Sequence, residues 1–162
     1  GQPPVGGLTE VFDGSSWTEV ADLNTARGNG YSSGNSSAGL TVGGNPTTAN
    51  SETWNGSSWT EGNNLNTGRS IMGEGGGTAT TSSSLVAGGY NGSANIVNTE
   101  SYNGTSWTEV NDLATAVGSS GYATSGGSSA LNFGGWNPPT SFKNATEEFT
   151  APEFVTKTFD VS

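Results

Sequence analysis

Residues 99–110 read Thr99-Glu100-Ser101-Tyr102-Asn103-Gly104-Thr105-Ser106-Trp107-Thr108-Glu109-Val110, and nearly the same wording stands twice before them. Residues 9–20 are TEVFDGSSWTEV, and residues 51–62 are SETWNGSSWTEG. Trp17, Trp59 and Trp107 hold matching places, 42 and 48 residues apart, and a decayed fourth copy opens at Thr146-Glu147-Glu148-Phe149. Self-similarity at this period marks a repeat architecture, in which each unit buries its apolar face against its neighbours.

Each copy has the chemistry of a β-hairpin. A short first arm puts an aromatic residue just before the turn, and the turn carries Asp13-Gly14, Asn55-Gly56 or Asn103-Gly104. These pairs tolerate positive φ, so a tight primed turn is predicted, matching the twist of the strands it joins. The second arm alternates, with Trp17, Trp59 or Trp107 on one face and Thr18, Thr60 or Thr108 on the other. A large ring at one place in every unit is expected to anchor the core rather than to serve as a ligand platform.

The chain as a whole sets outer bounds. Of 162 residues, 27 are Gly, 30% are apolar and 11% are charged. Such a composition can mean disorder, but here the apolar residues fall at regular places, so an ordered fold is expected. Fourteen acids against four bases give a formal charge of −10. So few cations neutralise few phosphates, which argues against nucleic acid and against anionic membrane surfaces. No stretch approaches the roughly 20 apolar residues needed to span a bilayer. With no Met at Gly1 and no signal-peptide pattern, Gly1 is not expected to be the translation start.

Between the hairpins lie two further segments per repeat. The first is rich in Gly, Ser, Ala and Thr and begins near Arg27, Arg69 and Val117. The second is apolar and ends in a glycine pair, as in Leu40-Thr41-Val42-Gly43-Gly44, Leu85-Val86-Ala87-Gly88-Gly89 and Leu131-Asn132-Phe133-Gly134-Gly135. Four short strands per repeat, with small side chains on the inner two, suit an all-β propeller: its axis is crowded and its aromatic residues belong outward. The expected single domain, 1–162, holds a half blade at 8–20 and blades at 27–62, 69–110 and 117–162. Closed propellers usually have four or more blades, so the ring is expected to be incomplete, or completed by other residues or subunits. The end of the chain alternates Phe154, Thr156, Thr158 and Asp160 against Val155, Lys157, Phe159 and Val161, as a terminal capping strand would.

A glycine pair, a Thr-Glu-x-aromatic strand, a tight turn and a Trp seven residues after the Glu together resemble the Kelch repeat. The wording Asn103-Gly104-Thr105-Ser106-Trp107-Thr108-Glu109-Val110 is similar to that of Kelch-like repeat proteins encoded by marine bacteriophages. The resemblance runs from Val5-Gly6-Gly7 to the last repeat. It departs at Val117, which stands where Arg27 and Arg69 do, and after Thr150. It implies four-stranded antiparallel blades and a place on a virion, in a tail fibre, capsid fibre or decoration. Other virion or surface proteins, further copies of the chain and cell-surface glycans are the partners it implies. A secreted or cell-surface carbohydrate-binding module, or a piece of a larger propeller enzyme, is the alternative.

Two sets of residues are candidates for function. Glu10, Glu52, Glu100 and Glu147 open the third strand of each repeat, and Arg27 and Arg69 follow two of them. They read as ion pairs or backbone acceptors linking the repeats, in preference to an ion- or sugar-binding ring. Glu19, Glu61 and Glu109 read as a solvated outer face that discourages edge pairing. Off the repeat positions stand Tyr31, Tyr90, Tyr122 and Trp136, which either plug gaps between units or stack on sugar rings. Without His or Cys the chain offers no imidazole base, thiolate or usual zinc or copper site. The copper centre of galactose-oxidase relatives therefore cannot be carried over, and no enzyme activity, cofactor or metal is expected.

Overall fold

A computed structural model describes residues 5–70, 74–77, 81–124, 128–137 and 141–151. These form fifteen strands and no helix. The first six are β1 (Glu10–Phe12), β2 (Trp17–Glu19), β3 (Tyr31–Asn35), β4 (Ala38–Val42), β5 (Ser51–Trp54) and β6 (Trp59–Glu61). Then come β7 (Glu74–Gly77), β8 (Ser84–Ala87), β9 (Thr99–Tyr102) and β10 (Trp107–Val110). The last are β11 (Gly121–Thr124), β12 (Ser129–Phe133), β13 (Trp136–Asn137), β14 (Ser141–Phe142) and β15 (Thr146–Thr150).

The three Trp-bearing stretches are antiparallel hairpins, β1-β2, β5-β6 and β9-β10. In each, two aromatic residues stand opposite one another beside the turn: Phe12 and Trp17, Trp54 and Trp59, Tyr102 and Trp107. Their ring centroids lie 5.2, 5.4 and 4.8 Å apart, within the range where aromatic pairs add to simple burial.

The turns are centred one residue later than the sequence suggests. Asn55 N donates to Ser58 O at 3.3 Å, so Gly56 and Ser57 are the central residues, with Gly56 at φ 94°. Asn55 stands outside the turn as an acceptor, its Oδ1 taking Ser57 N and Ser58 N at 2.9 Å each. Asp13 and Asn103 repeat this arrangement. The side-chain oxygen holds the loop closed, which is why Asx residues precede the glycine.

Residues 31–61 form one antiparallel sheet in the order β3-β4-β5-β6. The next repeat differs from the expected four-stranded unit. β8, β9 and β10 form a three-stranded sheet, while β7 pairs in parallel with β11, in the order β15-β12-β11-β7. β7 reads Glu-Gly-Gly-Gly. It carries no alternating side chains to fix its register on β8, and its bare backbone allows a neighbouring strand to approach closely. Among the described residues the sheets do not close into a ring; β1-β2 shares no ladder with any other sheet. The terminal strand expected beyond Ala151 lies outside the described residues.

Gly6 and Gly7 do not match the glycine pairs that end the second strand. Leu23 N donates to Gly7 O, as Leu65 N does to Ala49 O and Leu113 N to Val97 O. Gly6-Gly7 therefore takes the place of Thr48-Ala49, just before the hairpin.

The core lies between successive sheets. Tyr31, Leu40 and Val42 of one sheet, Leu65 of a connector, and Leu85, Val86, Tyr102 and Trp107 of the next form one buried cluster. Each such aliphatic side chain contributes about 1.5–3 kcal/mol on burial. Trp107 is 6% exposed and Trp59 half-buried, whereas Trp17 is 65% exposed. Trp17 departs from the expected core role because, among the described residues, its hairpin has no third strand beside it.

Candidate functional site

The connectors after the hairpins carry Asn24, Thr25 and Arg27 in one repeat and Asn66, Thr67 and Arg69 in the next. Each trio closes on the glutamate of the following repeat. Glu52 Oε2 accepts from Asn24 N and Asn24 Nδ2, both at 2.8 Å. Its Oε1 accepts from Thr25 N at 3.2 Å and from the Arg27 guanidinium. Arg27 also donates to Thr25 O and Asn50 O at 3.2 and 2.8 Å.

The second joint has the same geometry. Glu100 Oε2 takes Asn66 N at 2.8 Å and Asn66 Nδ2 at 2.9 Å, and its Oε1 takes Thr67 N at 3.2 Å and Arg69 Nη2 at 2.5 Å. Arg69 Nη1 reaches Gly88 O at 3.0 Å and Asn98 O at 2.6 Å. Solvent reaches neither Arg69 nor Glu100. Burial pushes the Arg69 guanidinium's pKa down, and the Glu100 carboxylate beside it opposes that shift. The sequence places Arg27 and Arg69 behind Glu10 and Glu52, but each pairs forward with the next glutamate.

The joints at the two ends are incomplete. Glu147 Oε2 accepts Ala114 N at 2.6 Å, yet Val117 stands where the arginine would be and is itself buried. Glu10 is exposed, and among the described residues no donor reaches its carboxylate. One further bond is unequal between joints. Trp59 Nε1 donates to Thr9 Oγ1 at 3.0 Å, while the matching atoms one repeat on, Trp107 Nε1 and Ser51 Oγ, are buried without partners among the described residues.

The off-repeat aromatic residues divide. Tyr31 lies in the core, 1% exposed, and burial raises its phenol pKa. The backbone of Tyr122 belongs to β11, and its side chain lies outside the described residues. Tyr90 and Trp136 hold equivalent places after the glycine pairs, bridging to Ser70 and Gly118 respectively. Asn95 links them: its backbone bridges to Tyr90, and its Nδ2 donates to Trp136 O at 2.7 Å. Tyr90 Oη donates to Gly92 O at 2.9 Å. Trp136 stands opposite Phe142 across β13-β14, and the two are 44% and 85% exposed. Sequence reasoning missed Asn95 and Phe142, since neither sits at a repeated position.

Among the described residues no group of three or more acids could hold a metal ion, and no helix is long and apolar enough to cross a membrane. No known protein-family model matches the chain, and no curated protein sequence matches it.

Proposed function

We propose that this chain is a non-catalytic structural and adhesive module, a segment of Kelch-like propeller that presents loops to a host surface or to glycans. The observation that carries the adhesive part is the pairing of Trp136 with Phe142, two exposed rings opposite one another across β13-β14, with Asn95 Nδ2 held on the Trp136 carbonyl. Flat rings stack on the apolar faces of sugars. The scaffold part is supported by the two complete joints, where Glu52 and Glu100 with Arg27 and Arg69 are consumed inside the protein. Four-stranded units about one axis are supported by β3 lying beside β7 and β7 beside β11, which makes neighbours of three inner strands. The virion placement rests on wording shared with the phage repeat proteins. In that setting weak contacts at each copy gain by avidity.

A glycan array tests the adhesive reading, with Trp136→Ala as the control. Binding that disappears in the variant supports it, and no binding to any glycan leaves scaffolding alone. Electron microscopy of the source particle, with the protein labelled, tests the virion placement.

A further inference from the structure

The clamp at the hairpin turns occurs once more, outside the hairpins. Asn91 N donates to Ala94 O at 3.0 Å, and Asn91 Oδ1 accepts from Ser93 N and Ala94 N at 2.9 Å each. Asn55, Asn91 and Asn103 thus share one geometry, each exposed and each followed by a glycine at positive φ, 94°, 96° and 92°. Asp13 occupies the same geometry with a carboxylate: its Oδ1 accepts Ser15 N at 2.8 Å and Ser16 N at 2.9 Å, and Gly14 stands at φ 102°. The chain therefore holds the amide form and the acid form of one turn. The acid suits it well, since the Ser16 and Ser15 amides favour the charged carboxylate.

Asn35 supplies a contrast within the same molecule. It is exposed, and its Oδ1 accepts Ser37 N at 2.9 Å and Ala38 N at 3.1 Å. The residue after it is Ser36, not glycine. A side chain therefore stands beside the main-chain nitrogen that follows Asn35, where Gly56, Gly92 and Gly104 leave that nitrogen bare.

We propose that Asn55, Asn91 and Asn103 are sites of spontaneous deamidation in the folded chain, and that the turn directs the product to aspartate. The glycine nitrogen gives its proton to solvent and bonds the Asn Cγ, closing a cyclic imide, and the side-chain nitrogen leaves as ammonia. Negative charge gathers on Oδ1 as that bond forms, where two backbone N–H groups already point. Water then adds at Cγ and breaks the new bond, which restores the glycine N–H and leaves a carboxylate. Opening at the other imide carbonyl gives isoaspartate, whose main chain runs through Cβ and Cγ and so lengthens a tight loop by one atom. That product loses the clamp seen at Asp13 and re-closes to the imide, so aspartate accumulates. Each conversion adds a negative charge to an exposed turn without opening it.

The full chain is aged in mildly alkaline buffer, folded and in urea, and digested for mass spectrometry with electron-transfer fragmentation, which separates aspartate from isoaspartate. The folded chain should yield mainly aspartate at positions 55, 91 and 103, and the urea sample mainly isoaspartate. Asn35 should remain intact in the folded chain when Asn55 is half converted. The amide signals of Ser57 and Ser58 in the aged chain should coincide with those of the Asn55→Asp variant. A folded chain that keeps all three amides overturns the proposal. So does isoaspartate as the main folded product, or loss of Asn35 at the pace of Asn55.

Discussion

Arg69 and Glu100 meet at 2.5 Å across the joint between two repeats, and both side chains are closed to solvent. Removing one partner leaves a buried charge unpaired. Arg69→Ala should therefore cost about 3–5 kcal/mol, read from urea unfolding. Replacing both, Arg69→Met with Glu100→Leu, should recover much of that loss. An unchanged midpoint in Arg69→Ala would remove the joint from the account of stability.

Val117 breaks the series of arginines, while Glu147 remains with a backbone donor. Gly134 N bonds Ala145 O as Gly88 N bonds Asn98 O, so the carbonyl cradle is present at this joint too. Val117→Arg should raise unfolding free energy by about 1 kcal/mol, the net worth of a typical hydrogen bond. The gain should vanish when Glu147→Gln is added.

Trp107 and Trp17 share a sequence position but not an environment. Trp107→Ala should cost about 3–5 kcal/mol through the cavity it opens. Trp17→Ala should change stability by about 0.5 kcal/mol or less, as exposed positions do. Equal costs would mean that Trp17 is covered in solution.

The orphaned pair near Trp107 gives a contrast in hydroxyl value. Thr9→Val strips Trp59 Nε1 of its acceptor and should cost about 1 kcal/mol. Ser51→Ala removes a buried hydroxyl that no described residue bonds and should be neutral or stabilising. Thermal unfolding of the two variants side by side makes the comparison.

Asp13 is the acid that makes a turn pH-sensitive. The amides of Ser16 and Ser15 hold its carboxyl at about 2, below the ordinary 3.8. A depressed folded-state pKa means the contribution is complete above the ordinary value and lost as pH falls through about 2. Between about pH 4 and pH 2 the amide signals of Ser15 and Ser16 should shift together. Asp13→Asn should keep the turn and abolish that change, since Asn55 and Asn103 do the same work uncharged.

Much of the hairpin layer was legible because its residues speak locally. Trp59 and Trp107 alternate with threonines, and an Asx-Gly pair marks each turn, so strand pairing follows from nearest neighbours. The joints were half legible: Glu52 and Arg69 stand out by recurrence, but spacing alone cannot show that each arginine pairs forward. β7 was illegible in its partner, because three glycines carry no pattern and tertiary neighbours decide where such a strand pairs. Trp17 misled for a similar reason. Its sequence is that of a core residue, and among the described residues no third strand stands beside its hairpin to cover it. The exposed aromatic pair needed the backbone to bring Asn95 and Phe142 to Trp136, across distances no motif spans.

The joints also have a direction. Donors always come from the earlier repeat and the acceptor carboxylate from the later one, so on the ribosome Asn24, Thr25 and Arg27 emerge before Glu52. Synthesis from the amino end thus supplies the donors of each joint before its acceptor, and the arginine stays in reach of water until the next hairpin brings the carboxylate and carbonyls that bury it.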